Sequence, residues 1–194
     1  MHQGKKEKQA AIMQAALELF AENGFHRAPV SQLATKAKVA VGSIYRYFKD
    51  KDELVHALYK EVDETLWRTV IEGTDPRMSD RLQFIHLITN LIHYLRDHPL
   101  EFKFLEQYFN SPYGLEKKRE KILEEDPAGC RNPLKRIFSG GNEGAVKDLP
   151  LSILHAMAFG PVTFVLRDAM AGLVTLDDRV IQEVAQACWD AIKK

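Results

Sequence analysis

Between Val41 and Phe48 the chain reads VGSIYRYF. A serine hydroxyl, two phenol hydroxyls and a guanidinium stand close together there, beside a Val41-Gly42 pair small enough to let a backbone approach. Such donors and small surfaces suit the phosphates and base edges of duplex DNA. On a helix the two kinds of side chain separate. Ile44 and Phe48, at i and i+4, turn toward Leu33, Ala34 and Ala37 of the preceding segment, which leaves Tyr45, Arg46 and Tyr47 outward. Lys51 adds a cation and helix-terminal N–H groups for one further phosphate.

Bond-making chemistry finds less support. Glu53-Leu54-Val55-His56 is a lone ExxH motif, whereas a di-iron helical bundle needs two such motifs and two more carboxylates. The SGGNEG run at 139–144 lacks the lysine and the preceding strand of a P-loop, and there is no GxSxG elbow. Cys130 and Cys188 form no CxxC pair and stand beside no histidine cluster, which excludes a zinc-ligand spacing and suits a reducing, cytoplasmic compartment. No metal or cofactor is expected. His86, Asn90 and His93 share one helical face with Asp97 next, a set that serves either a metal or anionic ligand or a solvated face. A helical-bundle enzyme or small-molecule-binding protein without DNA binding is the alternative to a DNA-binding protein.

The elements that would position VGSIYRYF are helices. The 194 residues are 45% apolar, enough to bury a core without disulfides, and this composition excludes a disordered, collagenous or cysteine-stapled chain. Strand-like alternation is nearly absent, so the chain is expected to be all-α. A first helix runs from about Lys6 to Asn23 with Ile12, Ala16, Leu19 and Phe20 on one side and Gly24 beyond its end. Pro29 opens a second helix ending near Ala37, and Lys38-Val39-Ala40 separates it from a third, Val41 to Phe48. Three short helices with a three-residue turn are the outline of a helix-turn-helix. Further helices are expected from Lys51 or Asp52 to Glu72, after Ser79 to Asp97, from Leu100 to Asn110, from Pro112 to Asp126 and from Leu134 to Phe138. A break falls at Pro127–Pro133 and a loop at 139–150. Two closing helices are expected, Leu151 to Ala171, kinked at Gly160-Pro161, and Leu176 to Lys193.

Charge divides along the chain in the same sense. Residues 1–60 hold ten basic and six acidic residues, a net of +4, and the remainder is −4, as for a basic nucleic-acid module joined to an acidic partner. The lysines of MHQGKKEKQAAIMQAALELF lead into a helical pattern containing Gln14 and Glu18, unlike an apolar leader, and no stretch approaches the roughly 20 apolar residues that span a bilayer.

ALELFAENGFHRAPVSQLATKAKVAVGSIYRYFKDKDEL, residues 16–54, resembles the amino-terminal domain of the TetR family of bacterial transcriptional regulators, most specifically over VAVGSIYRYFKDKDEL. The closing segments KDLP, FGPV and ACWDAIKK are similar to those of one subgroup. The resemblance implies an all-α protein with a DNA-binding domain at 1–51 and a ligand-binding and dimerisation domain at 52–194. It implies base or phosphate contacts from Val41, Gly42 and Ser43, phosphate contacts from Tyr45, Tyr47 and Lys51, a base or phosphate contact from Arg46, and backbone contacts near Arg27 and Ser31. Three departures stand out: Ala28-Pro29, Lys38 and Ala40 replace residues that in many members are threonine, glycine and serine or threonine. Lys38 must therefore take the glycine's conformation, and Ala40 removes a helix cap.

By the same resemblance, the function is that of a homodimeric repressor released from a palindromic DNA operator by a small-molecule effector, with Leu151–Ala171 and Leu176–Lys193 forming a four-helix interface. The apolar residues that encircle the first of these helices, Ile153, Leu154, Met157, Phe159, Val162 and Phe164 among them, agree with an intersubunit role. A helix on from Asp52 would connect the two sites. Candidate effector contacts are the aromatic or polar residues on central helices, Trp67, Phe84, Leu91, Phe104, Tyr108, Phe138, His155 and Phe159, which suit a mostly hydrophobic molecule.

Overall fold

Apolar side chains at helical spacing dictate the first element. Ile12, Ala16 and Phe20, all fully buried, line one side of α1 (His2–Asn23). The computed structural model describes residues 2–75, 77–115, 133–139 and 144–194. After α1 follow α2 (Val30–Lys36), α3 (Val41–Ile44), α4 (Lys51–Val70), α5 (Asp80–Asp97), α6 (Pro99–Phe109), α7 (Pro133–Phe138), α8 (Leu151–Met170) and α9 (Asp178–Ile192). Among the described residues the only β pairing is an isolated bridge between Val146 and Lys193, so the class is all-α. The helix expected from Pro112 to Asp126 lies outside the described residues beyond position 115, as do most of the break at 127–133 and positions 140–143 of the loop. No helix among the described residues is long and apolar enough to cross a membrane.

The chain forms two compact units. One comprises Met1–Thr65 and His98–Glu125, the other Leu66–Asp97 and Asp126–Lys194. In the first, α1 packs on α2 and on α6. Leu54, Val55, Leu58 and Tyr59 of α4 and Phe102, Phe104 and Tyr108 of α6 supply the rest of its core. Gly24 ends α1 in the left-handed region at φ +74°, its N–H donating to Phe20 O at 3.0 Å.

The end of α2 has the same kind of closure without glycine. Val39 N–H donates to Ala34 O at 2.9 Å and Lys38 N–H to Thr35 O at 3.1 Å, the paired bonds of a Schellman motif. Lys38 therefore stands at φ 55°, the one positive φ among the described non-glycine residues. The third helix is shorter than the Val41–Phe48 span expected. Past Ile44 the chain tightens: Arg46 and Tyr47 N–H donate three residues back, at 3.3 and 2.9 Å, before Phe48 N–H reaches Ile44 O at 3.0 Å. No side-chain bond caps the start of α3 at Ala40.

In the second unit α5 is central. Phe84, Leu87, Ile88 and Ile92 are fully buried, whereas Leu82 is 52% exposed. The buried side of the first turn is taken instead by Asp80 and Gln83, because Arg136 of α7 pairs with both. Its guanidinium lies 3.0 Å from Asp80 Oδ1 and donates to Gln83 Oε1 at 2.7 Å, and Asp80 is only 1% exposed. Leu154, Ala158, Val162 and Leu166 form the buried side of α8, which continues as helix through Pro161. Asp177 caps α9, accepting from Val180 N–H at 2.8 Å, and Ile181, Ala185, Cys188, Trp189 and Ile192 turn inward.

Two stability outcomes are expected. Lys38→Gly should raise stability by about 0.5–1 kcal/mol, because relief of left-handed strain exceeds the added freedom of the unfolded chain. Arg136→Met should lower it by about 3–5 kcal/mol by removing the cation beside the buried Asp80 carboxylate, and adding Asp80→Leu should recover most of that deficit. Urea unfolding followed by circular dichroism reads both.

Candidate nucleic-acid interface

The faces of α2, the turn and α3 are divided by the core. Leu33, Ala34, Ile44 and Phe48 are each 3% exposed or less. Because these four must turn inward, the other side of the segment is forced out within its unit. Val41 is 42% and Tyr45 52% exposed, Gly42 and Arg46 are exposed, and Ser43 and Tyr47 are half-buried. Arg27 and Ser31 are exposed at the approach to and first turn of α2, where the Ser31 carbonyl accepts from the Thr35 hydroxyl at 3.0 Å. The segment therefore presents small groups at its start and hydroxyl and guanidinium donors at its end, an order suited to a backbone lying in a DNA groove with side chains on flanking phosphates.

Lys51 is placed differently from the outward phosphate donor expected. Its ammonium donates to Ala28 O at 2.7 Å and to Phe25 O, and stands 5.7 Å from the centre of the Phe20 ring. Burial pushes its pKa below the ordinary lysine range, against the pull of Asp52. The cation closes the loop between α1 and α2. The helix N-terminus beside it is also engaged, since Asp50 Oδ1 accepts from Glu53 N–H at 2.8 Å and Glu53 reaches back to Lys49 N–H.

The proposed effector contacts fall in two groups. Phe84, Phe138, Phe159 and His155 form a connected series in the second unit, with ring centres 6.3, 6.3 and 4.3 Å apart. Trp189, which sequence reasoning missed, extends it at 5.5 Å from Phe84. Its position on the buried side of α9, with Ile181, Ala185, Cys188 and Ile192, was the available signal. The series grades from Phe84, fully buried, through half-buried Phe138 and Phe159 to exposed His155. Half-buried Trp67 and buried Leu91 belong to the same unit. Phe104 and Tyr108 belong to the other unit, where they are fully buried and Tyr108 stacks on Tyr59 at 4.0 Å.

His86 and Asn90 close the end of α4. His86 Nε2–H donates to Glu72 O at 2.7 Å, and Asn90 Nδ2 donates to Val70 O at 3.1 Å and to Glu72 O at 3.2 Å. His93 stands 3.8 Å from Asp178. His86 and Asn90 thus bind carbonyls at and just past the end of α4, which satisfies groups that a helix end leaves unpaired.

Comparison with known proteins bears on the whole arrangement. The family model for bacterial regulatory proteins of the tetR family matches residues 12–58, and that for the tetracyclin repressor-like C-terminal domain matches residues 81–193. A fatty acid metabolism regulator protein of Bacillus subtilis (strain 168) is 30% identical, with 92% of this chain and 94% of that protein covered. A TetR family transcription regulator from Marinobacter aquaeolei VT8 superposes with a TM-score of 0.83 at 21% identity, over 100% of this chain and 99% of that one. The transcriptional regulator FadR from Bacillus subtilis, solved in complex with stearoyl-CoA, gives 0.70 at 24% identity, over 94% and 98%. Matched at its helix-turn-helix, through its C-terminal helices and along nearly its full length by a relative, the chain belongs to the TetR family of bacterial regulatory proteins and is a helix-turn-helix transcriptional regulator.

Proposed function

We propose that this regulator is a homodimeric repressor that holds a palindromic duplex through two copies of the α2–turn–α3 segment and leaves it when a long-chain acyl thioester of coenzyme A binds. One observation carries the DNA reading: the core consumes Ile44 and Phe48, and the opposite side, from Val41 to Tyr47, is open within its unit. Residues 1–51 serve as the DNA-binding domain and 52–194 as the ligand-binding and dimerisation domain. Val41, Gly42 and Ser43 approach the bases, Tyr45 and Tyr47 donate to phosphates, Arg46 meets a base or a phosphate, and Arg27 and Ser31 flank the backbone. Lys51 acts by holding the loop that orients α2.

The dimer reading is supported by α8, where Ile153 is 46% and Phe164 64% exposed on a helix whose other side is buried. A two-fold pair places its recognition segments about 34 Å apart or a multiple of that turn, so altered spacing lowers affinity. The effector class is suggested by the relatives, one named for fatty acid metabolism and one solved with stearoyl-CoA. The ring series ending at His155 supports it, because an acyl chain can replace aromatic neighbours while its polar end stays at the surface. The chain works in the cytoplasm, where its DNA is, and as a regulator without catalysis.

A duplex selected from a random pool and followed by fluorescence anisotropy tests the DNA reading. Tyr45→Phe, which removes one hydroxyl, should weaken every duplex by roughly fivefold, about 1 kcal/mol. Val41→Asn, which adds a base-reading amide, should change the sequence selected. Stearoyl-CoA should release the duplex and acetyl-CoA should not, with Phe138→Ala raising the concentration required by about tenfold or more through reduced apolar burial.

A further inference from the structure

The opening turns of α1 meet the recognition segment within the first unit. Lys5 and Lys8, at i and i+3, share one side of α1 with Gly4, while Ser43, Arg46 and Tyr47, at i, i+3 and i+4, share one side of the segment that starts at Val41. These six residues line a single open cleft of ≈ 420 Å³. Three of them are cations and none is acidic. The Lys5 ammonium lies 6.0 Å from the centre of the Tyr47 ring, a long cation–π contact that an anion can share or displace. Lys5, Lys8 and Arg46 are all exposed, so bringing an anion among them strips little water from the cations and relieves their mutual repulsion.

We propose that this cleft seats a backbone phosphodiester of the bound duplex, which makes the start of α1 part of the DNA footprint and assigns Arg46 to a phosphate instead of a base. Lys5 and Lys8 supply charge from one side, and Arg46 with the Ser43 and Tyr47 hydroxyls supplies charge and hydrogen bonds from the other. The inference rests on the DNA-binding reading above and adds to it two residues, Lys5 and Lys8, on a helix outside the helix-turn-helix. A polymer fits the cleft better than a small anion because the cleft is open and continuous, through Arg46, with the exposed side of the recognition segment.

The test uses the full chain carrying Lys5→Ala and Lys8→Ala together, with the parent and the paired Lys→Arg variant as references. Affinity for the selected duplex and for an unrelated one is measured by anisotropy across a salt series, with circular dichroism confirming that each protein is folded. Both duplexes should bind the alanine variant more weakly. The slope of log Kd against log salt should fall by about 0.9 per bound chain, the value for the one phosphate that the variant no longer neutralises. The arginine pair should keep the parent slope. An unchanged slope in the alanine variant, with a parent that binds, would overturn the cleft assignment alone. A weakening confined to the selected duplex would overturn it in favour of base reading. If inorganic phosphate binds the parent but not the alanine variant, while the two proteins share one duplex affinity and one salt slope, the cleft belongs to a free anion and the assignment falls. Failure of the parent to bind any duplex would remove both this inference and the reading on which it rests.

Discussion

Tyr108 lies flat on Tyr59, with ring centres 4.0 Å apart and planes within 5°, and the internal geometry of the DNA-facing unit depends on that stacking. It joins α6 to the first half of α4 in a core shared with α1. Phe104 stands 6.1 Å from Tyr108 and 6.0 Å from Phe25, and Phe25 lies 5.2 Å from Phe20 near the end of α1. Burial pushes the Tyr59 hydroxyl far above its ordinary pKa, so it stays protonated and donates to Asp63 at 3.4 Å. The helices on either side of α2 and α3 are therefore fixed by aromatic packing, and the recognition segment inherits its aim from them.

That packing explains why order along the chain and order in space diverge. The helix that follows α5 folds with the first 65 residues, although its sequence reads as part of the C-terminal portion. Aromatic residues such as Phe104 and Tyr108 look alike whether they fill a core or surround a ligand. Their spacing reveals a buried helical side and says nothing of which helix covers it. Tyr59 and Tyr113, which complete the cluster, lie far from them or beyond a turn, so no local pattern connects them.

Features set by a few neighbouring residues were legible. The turn at Lys38-Val39-Ala40, the inward pair Ile44 and Phe48 and the end of α1 at Gly24 all follow from backbone propensity and side-chain period. The strained Lys38 could be expected because a family glycine is missing there, and φ 55° bears out that reading. Lys51 was different: its charge is visible in the sequence, but the carbonyls of Phe25 and Ala28 that hold it are more than 20 residues away. His86 and Asn90 likewise sit on the face expected of them, yet their partners are carbonyls at and just past the end of another helix. Leu82 is exposed while Asp80 and Gln83 are buried beside Arg136, over 50 residues on, a pairing that no local pattern reveals.

At residue 24 the missing side chain leaves room for the Gln107 amide of α6. A Cβ there would come within 2.7 Å of Gln107 Oε1, while the same amide donates through Nε2 to Ala21 O at 3.0 Å. Any larger substituent would push the flexible Gln107 amide aside and, more costly, would oppose the local left-handed backbone. Residue 24 is thus held to glycine chiefly by the backbone turn that ends α1. Side-chain change is accordingly tolerated more readily at exposed Val41, Tyr45 and Arg46 than at this joint.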